Sequence, residues 1–351
     1  MQRVEWIDAA KGLGIALIVI GHVWSLSDPP LAYKWLFAFH VPLFFFIAGL
    51  TIRPAPGSLP SYALNKAHTL LLPYLCYALL GYLFYVAGYV VATSLGRTLD
   101  EFGYGFLTPL FGIFHGTVGD GYLVNSPLWF LPALFLALLG WQLVTRVVDN
   151  SLIRWVLVLA LMALGLAIGD DLRLPFSLVS ALIAVGFVHA GHVWRRSFGT
   201  DSVVPRLRWP LIAAFALVSL AAPINGIVGV ADGSVGHPLL FIGFAVCGIA
   251  LCVLLVQSLP GRVSDLLALI GRHSLEILVI HMLIIKGVKV ILNGLLGVSF
   301  AEMEQDLGLG MLVLVSSALL MVPAVWVMSR WLPWTLGRSP LLGGLPVEKR
   351  A

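Results

Sequence analysis

A chain of 351 residues could make one large soluble domain or two smaller ones, but 60% hydrophobic residues, 11% charged residues and a mean hydropathy of +0.98 belong in lipid. The net charge of +4 would suggest nucleic acid in a polar protein; here the basic residues sit between apolar runs and set topology, so nucleic-acid binding is not expected. Cys76, Cys247 and Cys252 each lie inside an apolar stretch, which points to neither a disulfide framework nor a metal cluster, and no metal is expected.

A hydrocarbon core about 30 Å thick takes roughly 20 helical residues. Ten runs of that kind follow one another at about residues 6–26, 33–52, 70–95, 128–148, 152–168, 174–194, 209–230, 238–257, 274–296 and 309–332. The first carries Asp8 and Lys11 at its start and His22 near its far end, unlike a cleavable signal peptide, so it is expected to remain as a membrane helix. The stretch at about 96–127 is polar, Gly-rich and long for a connection, which marks an outer loop with a functional role, and residues 334–351 form a short tail. Neither an internal repeat nor interrupted helices in matched positions, the signs of an inverted-repeat transporter, stand out. Ten spans place only Lys34, Arg97, Arg173, Lys286 and Lys289, of 21 lysines and arginines, on one side of the membrane. The positive-inside rule then puts both termini in the cytoplasm. The expected fold is an all-α polytopic membrane protein of about ten transmembrane helices, a single domain over residues 1–351 in the plasma (inner) membrane.

A charge at mid-membrane costs about 3 kcal/mol or more, so each one inside a span is a functional candidate. Lys11 and His22 are eleven residues apart, about three turns, and therefore share a helix face about 16 Å apart along the axis, with Asp8 one turn below Lys11. Two readings of Asp8 and Lys11 stand: an interfacial ion pair with Lys11 snorkelling, or the end of a polar stripe facing a cavity. His22 favours the cavity, because imidazole exchanges protons near neutral pH and His40, on the descending second helix, reaches a similar depth. In the ninth run Arg272 precedes Glu276 by four residues, a pairing distance on a helix, while His281 reaches deeper and either completes the cavity wall opposite His22 or packs between helices. His115, Asp120, Asn125 and Trp129 lie in or beside the long loop, suited to stacking on or hydrogen-bonding a sugar, although a tryptophan there equally serves as an interfacial anchor. His189, His192 and His237 fall near span ends and are expected to be hydrated.

The opening Trp6-Ile7-Asp8-Ala9-Ala10-Lys11-Gly12, with His22 eleven positions after Lys11, fits a pattern of basic residue, ten residues, histidine. Together with Phe39-His40-Val41-Pro42-Leu43-Phe44-Phe45-Phe46-Ile47-Ala48-Gly49, it resembles membrane acyltransferase family 3, with the flavour of its fucose 4-O-acetylase-like branch. Leu128-Trp129-Phe130-Leu131-Pro132-Ala133-Leu134-Phe135 and the stretch from Gly271-Arg272-His273-Ser274-Leu275 through His281 are also similar to family segments, so the likeness covers most of the chain. Where the family often has an arginine-rich start to its third helix, this chain has Asn65-Lys66-Ala67-His68 and fewer positive charges.

The resemblance implies transfer of an acyl group, usually acetyl from cytoplasmic acetyl-CoA, to a hydroxyl of a sugar in a surface polysaccharide or lipid-linked glycan. Attack of an alcohol on a thioester needs a general base, for which His22 is the candidate, with transient acylation of His22 as the open alternative. His40 either orients His22 or gives a proton to the leaving thiolate. The CoA phosphates need cations, and Lys11, Arg53, Lys66 and Arg272 are candidates. Asp8, Trp129, His281 and Glu276 are candidates for substrate contact. Expected partners are membrane lipids, acyl-CoA and the glycan acceptor, with the oligomeric state left open. A transporter or flippase using the same intramembrane charges, or a non-catalytic membrane sensor or scaffold, are the competing readings.

Overall fold

The computed structural model describes residues 4–24, 30–53, 57–94, 104–118, 122–169, 171–199 and 205–338; Arg97, Asp120 and most of the tail lie outside them. The described residues are mostly helical and contain no strand. Fifteen α-helices follow in order: α1 Glu5–Val23, α2 Leu31–Phe37, α3 His40–Thr51, α4 Leu59–Lys66, α5 Leu72–Ser94, α6 Leu107–His115, α7 Phe130–Val147, α8 Ser151–Ile168, α9 Leu178–Phe198, α10 Pro205–Ser219, α11 Pro238–Val256, α12 Gly261–Arg272, α13 Ser274–Leu296, α14 Phe300–Gln305 and α15 Leu307–Trp331. Among the described residues nine helical segments are long and apolar enough to cross a membrane. Helix α13, the ninth expected run, is not one of the nine, yet it has 23 residues, about 35 Å at 1.5 Å per residue, and buries Glu276 and Lys289 inside the bundle.

Three expected spans depart from regular helices, each for a local reason. The second is broken into α2 and α3 between Phe37 and His40. Pro42 has no N–H for the carbonyl of Ala38 and its ring crowds that carbonyl, so the helix cannot run through unbent. The third begins eleven residues earlier than expected, at Leu59, and passes through a π-helical turn, Ala67–Leu71, between α4 and α5. The seventh does not reach residue 230: α10 ends at Ser219, a 3-10 turn covers Ala222–Asn225, and residues 226–236 fold back into the protein without helical structure. Val228, Val230 and Val235 of that segment are buried, and the Asn225 side chain donates to the Val235 carbonyl and accepts from the His237 N–H. The long loop also differs from expectation, since it contains α6.

Helix α1 packs against α3, α11, α12, α13 and α15, which makes it the central strut. Contact with α12 is backbone to backbone: a methyl group at Gly12 would overlap the Leu267 carbonyl, and one at Gly271 the Asp8 carbonyl. Gly49 and Gly191 do the same for α3 and α9, against the Val188 and Phe46 carbonyls. Small residues of this kind let membrane helices approach until dispersion holds them. His189 is not hydrated as expected but buried between α7, α8 and α9, where Trp141 donates to its Nδ1 at 3.2 Å and the Trp155 ring packs on it at 4.4 Å.

Gly12→Val should lower the thermal midpoint of the detergent-solubilised protein by an amount equivalent to about 1–3 kcal/mol of overpacking. Gly140→Ala should leave it unchanged, because nothing stands within 4 Å of a methyl group there. Scanning fluorimetry of both variants checks this.

Candidate active site

A cavity of about 550 Å³ lies between α1, α3, α7, α13, the π-helical turn and the fold-back segment. That size is ordinary for a small-molecule site, about 300–1,000 Å³. Lys11, Thr51, Lys66 and Thr69 line one end; His22, His40, Ser126 and Val228–Ala231 line the other. The two ends follow from threading, because Lys11 and His22 are about 16 Å apart along α1 and Thr51 lies three turns beyond His40 on α3. Between them the walls are apolar, with Ile15, Phe44, Ile47, Trp129 and Phe130. Among the described residues no Asp or Glu lines the cavity, so its polar character is cationic at the Lys11 end and imidazole at the other.

The rings are held by backbone. His40 opens α3, and its Nδ1 lies 2.8 Å from the carbonyl oxygen of Leu36 on α2. A carbonyl only accepts, so Nδ1 carries the proton and Nε2 keeps a lone pair. The Phe37 ring packs edge-on against His40 at 4.6 Å, and the Phe39 ring at the break lies against Gly248 of α11, where no larger residue fits. His281 is fully buried on α13 and donates from Nδ1 to the carbonyls of Ile277 and Leu278, at 2.9 and 3.0 Å. Its ring lies against that of His22, with centroids 5.2 Å apart and planes inclined by 42°. His22 itself is half-buried and reaches the cavity. One and two turns beyond His281, Lys286 donates to the Val124 carbonyl, and Lys289 to the Val23 carbonyl and to Glu304 at 2.7 Å. The Lys289 ammonium thus covers an unsatisfied carbonyl at the C-terminus of α1 next to His22.

The expected site residues divide. The structure gathers Lys11, His22, His40, Lys66 and Trp129 around the cavity, with His281 behind His22. Arg53 and Arg272 are exposed and outside its lining. Asp8 and Glu276, expected to contact substrate, are also outside the lining: Asp8 is buried and paired with Lys11 at 3.3 Å. Glu276 pairs not with Arg272 but with Arg338 at 2.6 Å, and accepts from Ser329 at 2.9 Å and His273 at 3.1 Å. The reason is geometric. Arg272 lies across the boundary between α12 and α13, where the chain leaves the helix and the four-residue spacing no longer places the two side chains on one face. The cavity contribution of Val228–Ala231 was missed, although Asn225-Gly226 and Asp232-Gly233 are turn dipeptides that could have signalled a break. No comparable signal marks Thr51, Thr69 or Ser126.

A family model described as an acyltransferase domain, that of acyltransferase family 3, matches residues 4–330. No curated protein and no solved structure matches the chain.

The fully buried Glu276 carboxylate should make Arg338 a strong stability determinant: Arg338→Met removes its guanidinium partner, leaves it only Ser329 and His273, and costs about 3 kcal/mol. Adding Glu276→Gln to Arg338→Met should restore most of the loss, as read from thermal midpoints of the single and double variants.

Proposed function

Because the chain belongs to acyltransferase family 3, and is therefore a membrane acyltransferase, we propose that it moves an acetyl group from cytoplasmic acetyl-CoA to a sugar hydroxyl of a surface polysaccharide or lipid-linked glycan. The observation that carries this reading is the cavity that joins a cationic end at Lys11 and Lys66 to an imidazole end at His22 and His40, with no carboxylate between them among the described residues. A polyanionic donor suits that polarity. The CoA phosphates meet Lys11 and Lys66 at one end, and the thin pantetheine arm follows the apolar walls until the thioester reaches His22. Arg53 and Arg272, exposed on the same side in this topology, attract the donor before it enters. Within the family, the motifs around Lys11 and His40 favour the fucose 4-O-acetylase-like branch.

His22 takes the proton of the acceptor hydroxyl as its oxygen attacks the thioester carbonyl. The new C–O bond forms, the C–S bond breaks, and the proton on His22 passes to the departing thiolate to give CoA-SH. The acceptor enters from the end lined by Ser126 and Val228–Ala231 and meets the Trp129 ring in the cavity wall. In this arrangement the donor binds from the cytoplasm, both termini are cytoplasmic, and the protein resides in the plasma (inner) membrane. Family membership favours catalysis over transport by the same charges.

Purified protein should cleave labelled acetyl-CoA in the presence of a glycan acceptor, and His22→Ala should lower the rate roughly 10²–10⁴-fold, the usual contribution of a general base. Lys11→Gln should mainly raise the KM for acetyl-CoA, by roughly tenfold, as expected for loss of a charged hydrogen bond of about 1.5 kcal/mol. A folded His22→Ala variant with full activity would sink the assignment. Independently, cysteines placed near Arg206 and near Glu304 should react with a membrane-impermeant thiol reagent from opposite faces; labelling from one face contradicts the topology.

A further inference from the structure

We propose that His281 is the positioning residue of His22: its Nε2 accepts the ring N–H of His22, which turns the other nitrogen of His22 toward the cavity as an unprotonated base. The inference rests on the acyl-transfer reading above and assigns His281 a role other than contact with substrate.

Three observations carry it. The Nδ1 of His281 is spent on the carbonyls of Ile277 and Leu278, so that nitrogen holds the hydrogen and Nε2 has only a lone pair. That Nε2 is fully buried and has no hydrogen-bond partner among the described residues. The ring lying against it is that of His22, 5.2 Å away between centroids. An acceptor left open in an apolar interior is unfavourable until a donor reaches it, and His22 supplies one by a rotation of its ring. Such catalytic hydrogen bonds are often unmade before substrate arrives and close in the complex.

The other groups near His22 do not compete for the role. His40 offers a lone pair at Nε2, but faces the cavity rather than the far side of His22. The ammonium groups of Lys286 and Lys289 donate to carbonyls and accept nothing. Among the described residues no carboxylate pairs with His22, so the function that an aspartate performs for the histidine of a hydrolytic triad falls to a neutral imidazole whose tautomer its own helix has set. His281 keeps its Nδ1 proton throughout. The proton in transit passes from the acceptor hydroxyl to His22 and from His22 to the CoA sulfur, and none moves to His281.

The test uses the purified full chain in detergent and two readouts. The first is carbethoxylation of His22 by diethyl pyrocarbonate, followed by mass spectrometry, in wild type, His281→Phe and His281→Gln. Loss of the acceptor should slow modification of His22 tenfold or more in His281→Phe, while the amide oxygen of His281→Gln should keep it within threefold. The second readout is acetyl-CoA cleavage, in which His281→Phe should lower kcat at least tenfold with KM within twofold of wild type, and His281→Gln should recover most of kcat. His281→Leu replaces His281→Phe if the latter does not fold. Equal His22 reactivity in wild type and the apolar variant, a Gln variant as slow as the apolar one, or a wild-type His22 that the reagent never modifies would each overturn the proposal. Wild-type protein that does not turn over acetyl-CoA would instead refute the donor assignment, and the carbethoxylation rates would still decide this one.

Discussion

An imidazole ring among membrane helices must take its hydrogen bonds from protein, and at this site His40 and His281 take them from main-chain carbonyls. His40 bonds Leu36, the carbonyl that its own backbone N–H would meet in an unbroken helix, and His281 bonds the carbonyls of Ile277 and Leu278 one turn back. Each bond fixes which nitrogen carries the hydrogen. Both rings are thereby left with a lone pair at Nε2: His40 lines the cavity beside His22, His281 lies behind His22, and of the three only His22 makes no main-chain bond among the described residues. The chemistry open to the site descends from that division of labour.

Packing makes room for it. Gly12 and Gly271 bring α1 against α12, and Gly49 and Gly191 bring α3 against α9, each through backbone contact on one side of the helix. On their other sides α1 and α3 meet bulky residues, with the Phe44 ring over Gly14 and the Phe130 ring edge-on to Phe44 and tilted against Phe45. Helices pinned closely on one face and held apart by aromatic rings on the other leave a void between them. The cationic end of that void is kept open by residues with partners of their own: Lys11 on Asp8, and Lys66 over the Tyr62 ring at 5.6 Å. Behind this end the C-terminal turn leans on the π-helical wall, with Gly337 against His68 and Thr69, and Tyr77 bonded to Thr335. Arg338 and Glu276 anchor that turn to α13.

What could be read from the sequence was what a regular helix carries. The spacing of Lys11 and His22 became a shared face because α1 is uninterrupted from Glu5 to Val23, and the depth of His40 followed from the rise per residue. The helix break at His40 had its cause in plain view at Pro42, but an apolar run on both sides hid it. Residues 226–230 read as the tail of a span because Ile227, Val228 and Val230 are apolar, and hydropathy does not separate a buried loop from a buried helix. Glu276 failed differently. Its partners, Arg338 and Ser329, come from the far end of the chain, and no local spacing can announce a neighbour that tertiary folding supplies.

The central claim is that donor and imidazole meet inside one cavity that begins at Lys11 and ends at His22. A structure of the protein in lipid nanodiscs with a thioether analogue of acetyl-CoA tests it most directly. The account predicts the phosphates beside Lys11 and Lys66 and the sulfur within hydrogen-bonding reach of the His22 ring. An analogue bound elsewhere on the protein, or a cavity filled by a lipid chain with His22 shut off from the donor, would contradict it.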